Sequence, residues 1–118
     1  MNTAVLAFGS NAVRKADILR DALSVIDSHV SEASDVYFDD HGYANIVAAI
    51  STDFGYEELR RHTKELEVKY GRKPSSKAPE EVALDIDIVI YNGEVVRPAD
   101  FAQPYFIRGY RSLSECQV

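Results

Sequence analysis

The stretch LDIDIVIYNGE, residues 84 to 94, decides the fold, because it completes the element order. Leu84, Ile86, Ile88, Val89, Ile90 and Tyr91 are residue types that strands favour. Asn92-Gly93 then supplies the positive backbone φ angles of a two-residue hairpin turn. Side chains alternate along a strand, so Leu84, Ile86 and Ile88 take one face and Asp85 and Asp87 take the other. Two carboxylates about 7 Å apart on one face repel each other, and a divalent cation between them removes that cost. Magnesium suits such a pair, being hard, octahedral and often shared with substrate phosphates. A solvated polar edge is the structural alternative, and D-x-D alone does not decide between them.

Upstream, Thr3 to Phe8 reads as a buried strand stopping at Gly9-Ser10-Asn11. Between Val13 and His29 the residues Ile18, Leu19, Ala22, Leu23 and Ile26 recur at helical spacing. Val30 to Phe38 reads as a second strand, Asp39 to Gly42 as a turn, and Tyr43 to Thr52 as a central third strand. Tyr56 to Tyr70 forms a second helix with Leu59, Thr63, Leu66 and Tyr70 on one stripe, ended by Gly71. Residues 71–83 form a long polar loop, and after the hairpin at Asn92-Gly93 the chain reads as irregular to about Leu113. The order is β-α-β-β-α-β plus one hairpin strand. This is the α+β, ferredoxin-like arrangement, an antiparallel sheet with both helices on one face.

A chain of 118 residues predicts one domain, residues 1–118, around a single core. The formal charge of −6 leaves no electrostatic footprint for nucleic acid. No apolar run approaches a membrane span, and the first residues lack the charged region of a signal peptide. The single cysteine, Cys116, excludes an internal disulfide, which predicts a reducing, cytoplasmic setting. Exposed strand edges are compatible with a monomer or a weak homodimer.

Other residues bear on chemistry. Tyr43 and Asn45 share a strand face, an aromatic plate beside an amide that can both donate and accept; the pair suits a planar heterocycle, or plain strand packing. Arg72, Lys73 and Lys77 lie in the long loop, and Arg97, Arg108 and Arg111 follow the last long strand. Cations converging on the Asp85–Asp87 face would suit phosphates, whereas singly they are ordinary solubilising charges. The histidines read as a helix end (His29), an i, i+3 helix pairing (His62) and a solvated turn (His41). The segments FGSN (8–11), YANIVAAIST (43–52), HTKELEVKYGR (62–72), LDIDIVIYNGEVV (84–96) and IRGY (107–110), in that order, resemble the 6-hydroxymethyl-7,8-dihydropterin pyrophosphokinases of folate synthesis.

That resemblance, from about residue 4 to residue 113, implies Mg²⁺-dependent transfer of pyrophosphate from ATP to a reduced hydroxymethylpterin, with AMP released. It implies that Asp85 and Asp87 bind two Mg²⁺ ions shared with the ATP phosphates. Tyr43 and Tyr110 would sandwich the pterin and Asn45 would read its edge. On the ATP side it implies Lys64, Arg72, Lys73, Lys77, Ile88 and Arg108, with Asp85, Asp87 and Arg108 carrying the catalysis. The sequence departs from the family in three places. The stretch KPSSKAPEEVA before LDID holds no Trp and no further Arg, the turn between the second and third strands is only DDHG, and Pro104-Tyr105 stands nearest to the family's Pro-His. These departures motivate an alternative expectation, a catalytically impaired pterin- or nucleotide-binding module of the same fold.

Overall fold

The computed structural model describes residues 1–71 and 82–113. Six strands and four helices follow in the order β1 (Asn2–Ser10), α1 (Lys15–Val25), β2 (His29–Ala33), β3 (Tyr37–Phe38), β4 (Ala44–Thr52), α2 (Tyr56–Lys69), β5 (Asp85–Tyr91), β6 (Glu94–Val95), α3 (Pro98–Phe101) and α4 (Pro104–Arg111). The sheet runs β2-β4-β1-β5-β6, with β3 also pairing β4, and every pair is antiparallel. The ferredoxin-like α+β arrangement read from the sequence is the one observed, including the extra hairpin strand β6.

Alternation sorts the strands into two faces. Ala4, Leu6 and Phe8 of β1, Ile46, Ala48 and Ile50 of β4, and Leu84, Ile86 and Ile88 around β5 pack on Leu19 and Ala22 of α1 and Leu59 and Leu66 of α2. At about 25 cal/mol per Å² of apolar surface, this layer supplies most of the driving force for folding. A β-bulge opposite Val5 and Leu6 resets the alternation in β5, so Val89 and Ile90 both join the other face. The hairpin turn has positive φ at Asn92 (49°) and Gly93 (80°), and the Asn92 side chain accepts from the Thr3 N–H at 2.9 Å, pinning the turn to β1.

Three expectations need correction. The strand read across Val30–Phe38 is broken in two, because Ser34 leaves the regular ladder. Its backbone N–H donates to the Val47 carbonyl while its hydroxyl accepts from the Val47 N–H. Helix α1 ends at Val25, so His29 opens β2 instead of closing a helix. The C-terminal segment is helical: α3 and α4 each begin with proline in the first turn, where its missing N–H costs nothing. Phe106, Tyr110 and Leu113 cover Val5, Val47, Ala49, Val89 and Ile90, forming a second apolar layer on the face opposite α1 and α2.

Candidate active site

Gly9 of β1 is the register partner of Asn45 on β4 and of Asp85 on β5, so the three residues form one row across the sheet. Ala7, the next β1 residue on that face, pairs with Val47 and Asp87. Small residues in the middle strand leave a hollow between larger neighbours. The hollow has a volume of about 260 Å³ and is lined by Ala7, Phe8, Gly9, Asp39, His41, Tyr43, Asn45, Asp85, Asp87 and Tyr105. The FGSN segment also anchors the approach to β5. The Asn11 N–H donates to the Val82 carbonyl at 3.0 Å, and the Asn11 side chain accepts from the Val82 N–H.

The carboxylate side is electrostatically costly. Burial, followed by the neighbouring Asp85 charge, pushes the Asp87 carboxyl up to about 6, although Arg97 stands 3.8 Å away. Glu67, on α2, is fully buried; its carboxylate accepts from the Ile86 N–H at 2.8 Å, pairs with Lys64 at 3.3 Å and touches Asp85. Burial raises the Glu67 pKa, and Asp85 adds to that shift. Among the described residues no group of three or more His, Cys, Asp or Glu side chains forms a metal cage. Two hard oxygen donors with unbalanced negative charge nonetheless fit Mg²⁺, which keeps several positions for water or phosphate.

On the opposite wall, short side chains are held by the turn after β3. Asp39 accepts from the His41 N–H (2.8 Å), the Tyr43 N–H (3.2 Å) and Asn45 Nδ2 (3.0 Å). Burial acts to raise its pKa, but these hydrogen bonds outweigh it and hold Asp39 below the ordinary carboxylate range. Tyr43 and Asn45 thus meet in the hollow as their spacing predicts. Tyr110 does not join them. Phe106, Gly109 and Tyr110 form the inward face of α4, and Tyr110 stacks on Phe106 (centroids 5.4 Å, planes 18° apart) inside the second apolar layer. The second tyrosine in the lining is Tyr105, whose hydroxyl donates to Asp100 at 2.8 Å.

Asp87 also borders a smaller depression, about 60 Å³, with Tyr56, Arg60, Thr63, Lys64, Ile86, Ile88 and Arg97. Lys64 and Ile88 therefore come together beside Asp87. Arg108 lines neither hollow; it is exposed, lies over the Tyr37 ring at 5.0 Å and donates to the Phe38 carbonyl at 3.3 Å. Arg72, Lys73 and Lys77 lie outside the described residues. His62 makes no i, i+3 pairing of the kind expected: its Nε2 accepts from the Asp27 N–H at 3.0 Å, joining the segment after α1 to α2.

Sequence reasoning passed over Tyr105 and Glu67 as site residues, weighed Asp39 only as part of a metal-binding or solvated turn, and already counted Arg97 among the cations that could converge on the aspartates. Only Glu67 carried a local signal, a carboxylate four residues after Thr63 on the apolar stripe of α2.

Residues 5–113 match the model of the 7,8-dihydro-6-hydroxymethylpterin-pyrophosphokinase (HPPK) family. A relative, the folic acid synthesis protein FOL1 of Dictyostelium discoideum, is 27% identical over 113 residues. The match covers 88% of this chain but only 17% of that protein's length. Two crystal structures of formyltetrahydrofolate deformylases overlap part of the fold. The one from Pseudomonas putida KT2440 has a TM-score of 0.46 at 13% identity, covering 76% of this chain and 29% of that one. The one from Burkholderia mallei ATCC 23344 has a TM-score of 0.43 at 17% identity, covering 75% and 29%. With a family match over nearly its whole length, the chain belongs to the 7,8-dihydro-6-hydroxymethylpterin-pyrophosphokinase family.

Proposed function

We propose that this chain, acting as one unit of residues 1–118, transfers pyrophosphate from ATP to the hydroxymethyl group of 6-hydroxymethyl-7,8-dihydropterin and releases AMP. One observation carries the reading: Asp87 is a wall of both the 260 Å³ hollow and the smaller depression holding Lys64 and Ile88. A donor and an acceptor seated in the two would meet at the carboxylate pair. The reduced pterin lies in the larger hollow against Tyr43, with Asn45 on its edge. ATP extends from Ile88 and Lys64, with Arg72, Lys73, Lys77 and Arg108 supplying charge toward its phosphates. Asp85 and Asp87 hold Mg²⁺, which when bound neutralises phosphate charge and orients the transfer. Glu67 fixes the start of β5 through the Ile86 N–H, and so the position of both aspartates.

Positioning and charge neutralisation carry most of phosphoryl transfer, so no side chain is needed as a dedicated base. The decisive measurement is AMP release from ATP, Mg²⁺ and the reduced pterin, with the expected result a turnover well above the rate without protein. A second reading, a binding module without efficient transfer, is favoured by one feature. Lys64, Arg97 and Arg108 are each already engaged by protein groups. Tight pterin binding with no AMP above background would establish that reading and end the first.

A further inference from the structure

We infer that Asp39 is a specificity-determining residue of the larger hollow, admitting a planar heterocycle whose edge presents N–H donors. The inference rests on the reading of that hollow as the acceptor site and adds to it the residue that chooses the ring.

Most backbone N–H groups of the turn Asp39–Gly42 are committed within the protein. The Asp39 N–H donates to the Tyr43 carbonyl at 3.0 Å, and the Gly42 N–H donates to the Asp39 carbonyl at 3.3 Å. The N–H groups of His41 and Tyr43 both go to Asp39 Oδ1, and the Gly42 carbonyl accepts from Lys15 at 2.9 Å. A ligand edge arriving beside β4 meets the Asp39 and Asn45 side chains, both of which line the hollow. A carboxylate only accepts, so the contact between Asp39 Oδ2 and Asn45 at 3.0 Å must come from the amide nitrogen. That nitrogen also reaches the Tyr43 carbonyl at 3.4 Å. The Asn45 Oδ1 is thereby turned toward the floor of the hollow, where a Cβ placed on Gly9 would stand 3.7 Å from it.

The lining therefore offers two acceptors, Asn45 Oδ1 toward the floor and the remaining lone-pair capacity of Asp39 Oδ2 at the wall. A 2-amino-4-oxopteridine complements them with its ring and exocyclic N–H groups. A 2,4-dioxopteridine places a carbonyl oxygen against a carboxylate and is rejected. A site whose buried acceptors lose their donors discriminates more strongly than one that loses apolar contact.

The test is a fluorescence titration, without ATP or metal, using 6-hydroxymethylpterin and its 2,4-dioxo analogue. The unaltered protein is expected to prefer the 2-amino ring by about 10- to 100-fold, the worth of one or two hydrogen bonds to a charged group. Asp39→Asn keeps an acceptor for the turn but presents N–H groups to Asn45, turning that amide over. The preference is expected to fall by about tenfold or more. Asp39→Ser, whose hydroxyl also supports turns, is a second variant, and the thermal unfolding midpoint identifies the one that keeps the fold. Equal affinity of the unaltered protein for both rings overturns the inference. So does an undiminished preference in a folded Asp39 variant, while leaving the acceptor-site reading standing. Binding of neither ring overturns that reading and this inference together.

Discussion

The two hollows that meet at Asp87 are built differently. The larger one takes its polar groups from strand ends and a tight turn: Asn45 and Asp85 flank Gly9 in register, and Asp39 is held by two backbone N–H groups around its turn and by the Asn45 side chain. The smaller one takes its polar groups from long side chains, each bound to a carboxylate. Lys64 pairs with Glu67, and Arg97 pairs with both Asp87 and Asp100. Short side chains on a sheet lose little entropy when a ligand binds, so the larger hollow is preorganised for a rigid ring. The cations of the smaller one must exchange a protein carboxylate for a phosphate. Recognition and charge neutralisation therefore have separate weak points, and substitutions can separate them.

The largest effect falls on the shared residue. Asp87→Ala should lower AMP release by on the order of 10³-fold, as expected when preorganised electrostatic stabilisation is lost. Pterin affinity measured without ATP should change by only a few-fold, since Asn45, Asp39 and Tyr43 are untouched. If turnover and pterin affinity fell together, the division between the hollows would be broken.

Gly109→Ala comes next and acts through α4. A Cβ there would stand 2.5 Å from the Tyr37 hydroxyl oxygen and 2.6 Å from Val47 Cγ2, closer than real Cβ contacts allow. Overpacking of this kind costs about 1–3 kcal/mol, readable by urea unfolding. Because α4 carries Tyr105 to the larger hollow, pterin affinity should weaken as well. Unchanged stability would mean that α4 is not seated as described.

Two carboxylates give the comparison a pH signature of opposite sign in the metal-free protein. Asp87 is pushed up to about 6 from the ordinary 3.8, so the folded state binds its proton more tightly than the unfolded state does. Its ionisation therefore lowers stability as pH rises from about 4 to about 6, by on the order of 1–2 kcal/mol. Asp87→Asn should remove that loss and stabilise the protein at neutral pH. Asp39 is held below its ordinary range, so its contribution is present above about pH 4 and is lost as pH falls through its folded pKa. Asp39→Asn should thus destabilise at neutral pH and matter less in acid. Urea midpoints of both variants at about pH 4 and pH 7 check the two signs, and shifts of the same sign would sink the electrostatic contrast.

The same division separates what the sequence revealed from what it hid. Period-two alternation placed Asp85 with Asp87 and Tyr43 with Asn45, because strand geometry admits little else. Helical stripes located α1 and α2, and Asn-Gly marked the hairpin turn, whereas GSN did not stop β1, which runs on through Ser10. The helices after β6 were hidden because their prolines, Pro98 and Pro104, read equally as breakers or as first-turn residues, and four to eight residues show little periodicity. The direction of Tyr110 was illegible for the same reason: it depends on the phase of a helix not foreseen. Asp39 looked like any turn aspartate, since its role depends on Asn45 across the hairpin. Glu67 could have been noticed as a charge on an apolar stripe, but its partner Ile86 lies far along the chain.

The smallest effect belongs to Arg108, the residue that the family resemblance puts on the phosphates and that the fold puts on Tyr37. Its guanidinium lies 5.0 Å from that ring and its side chain is exposed, so Arg108→Lys should cost no more than about 1 kcal/mol in stability. If Arg108 leaves Tyr37 for ATP, the KM for ATP should rise several-fold, because lysine keeps the charge but loses the fork that grips phosphate. Pterin affinity should stay constant in either case. A KM for ATP identical to that of the unaltered protein would confine the nucleotide side to the smaller depression and residues 72–81. The cations that matter would then be Lys64, Arg97 and those of residues 72–81, and the contrast between a fixed ring site and a charge-supplied phosphate site would be sharper still.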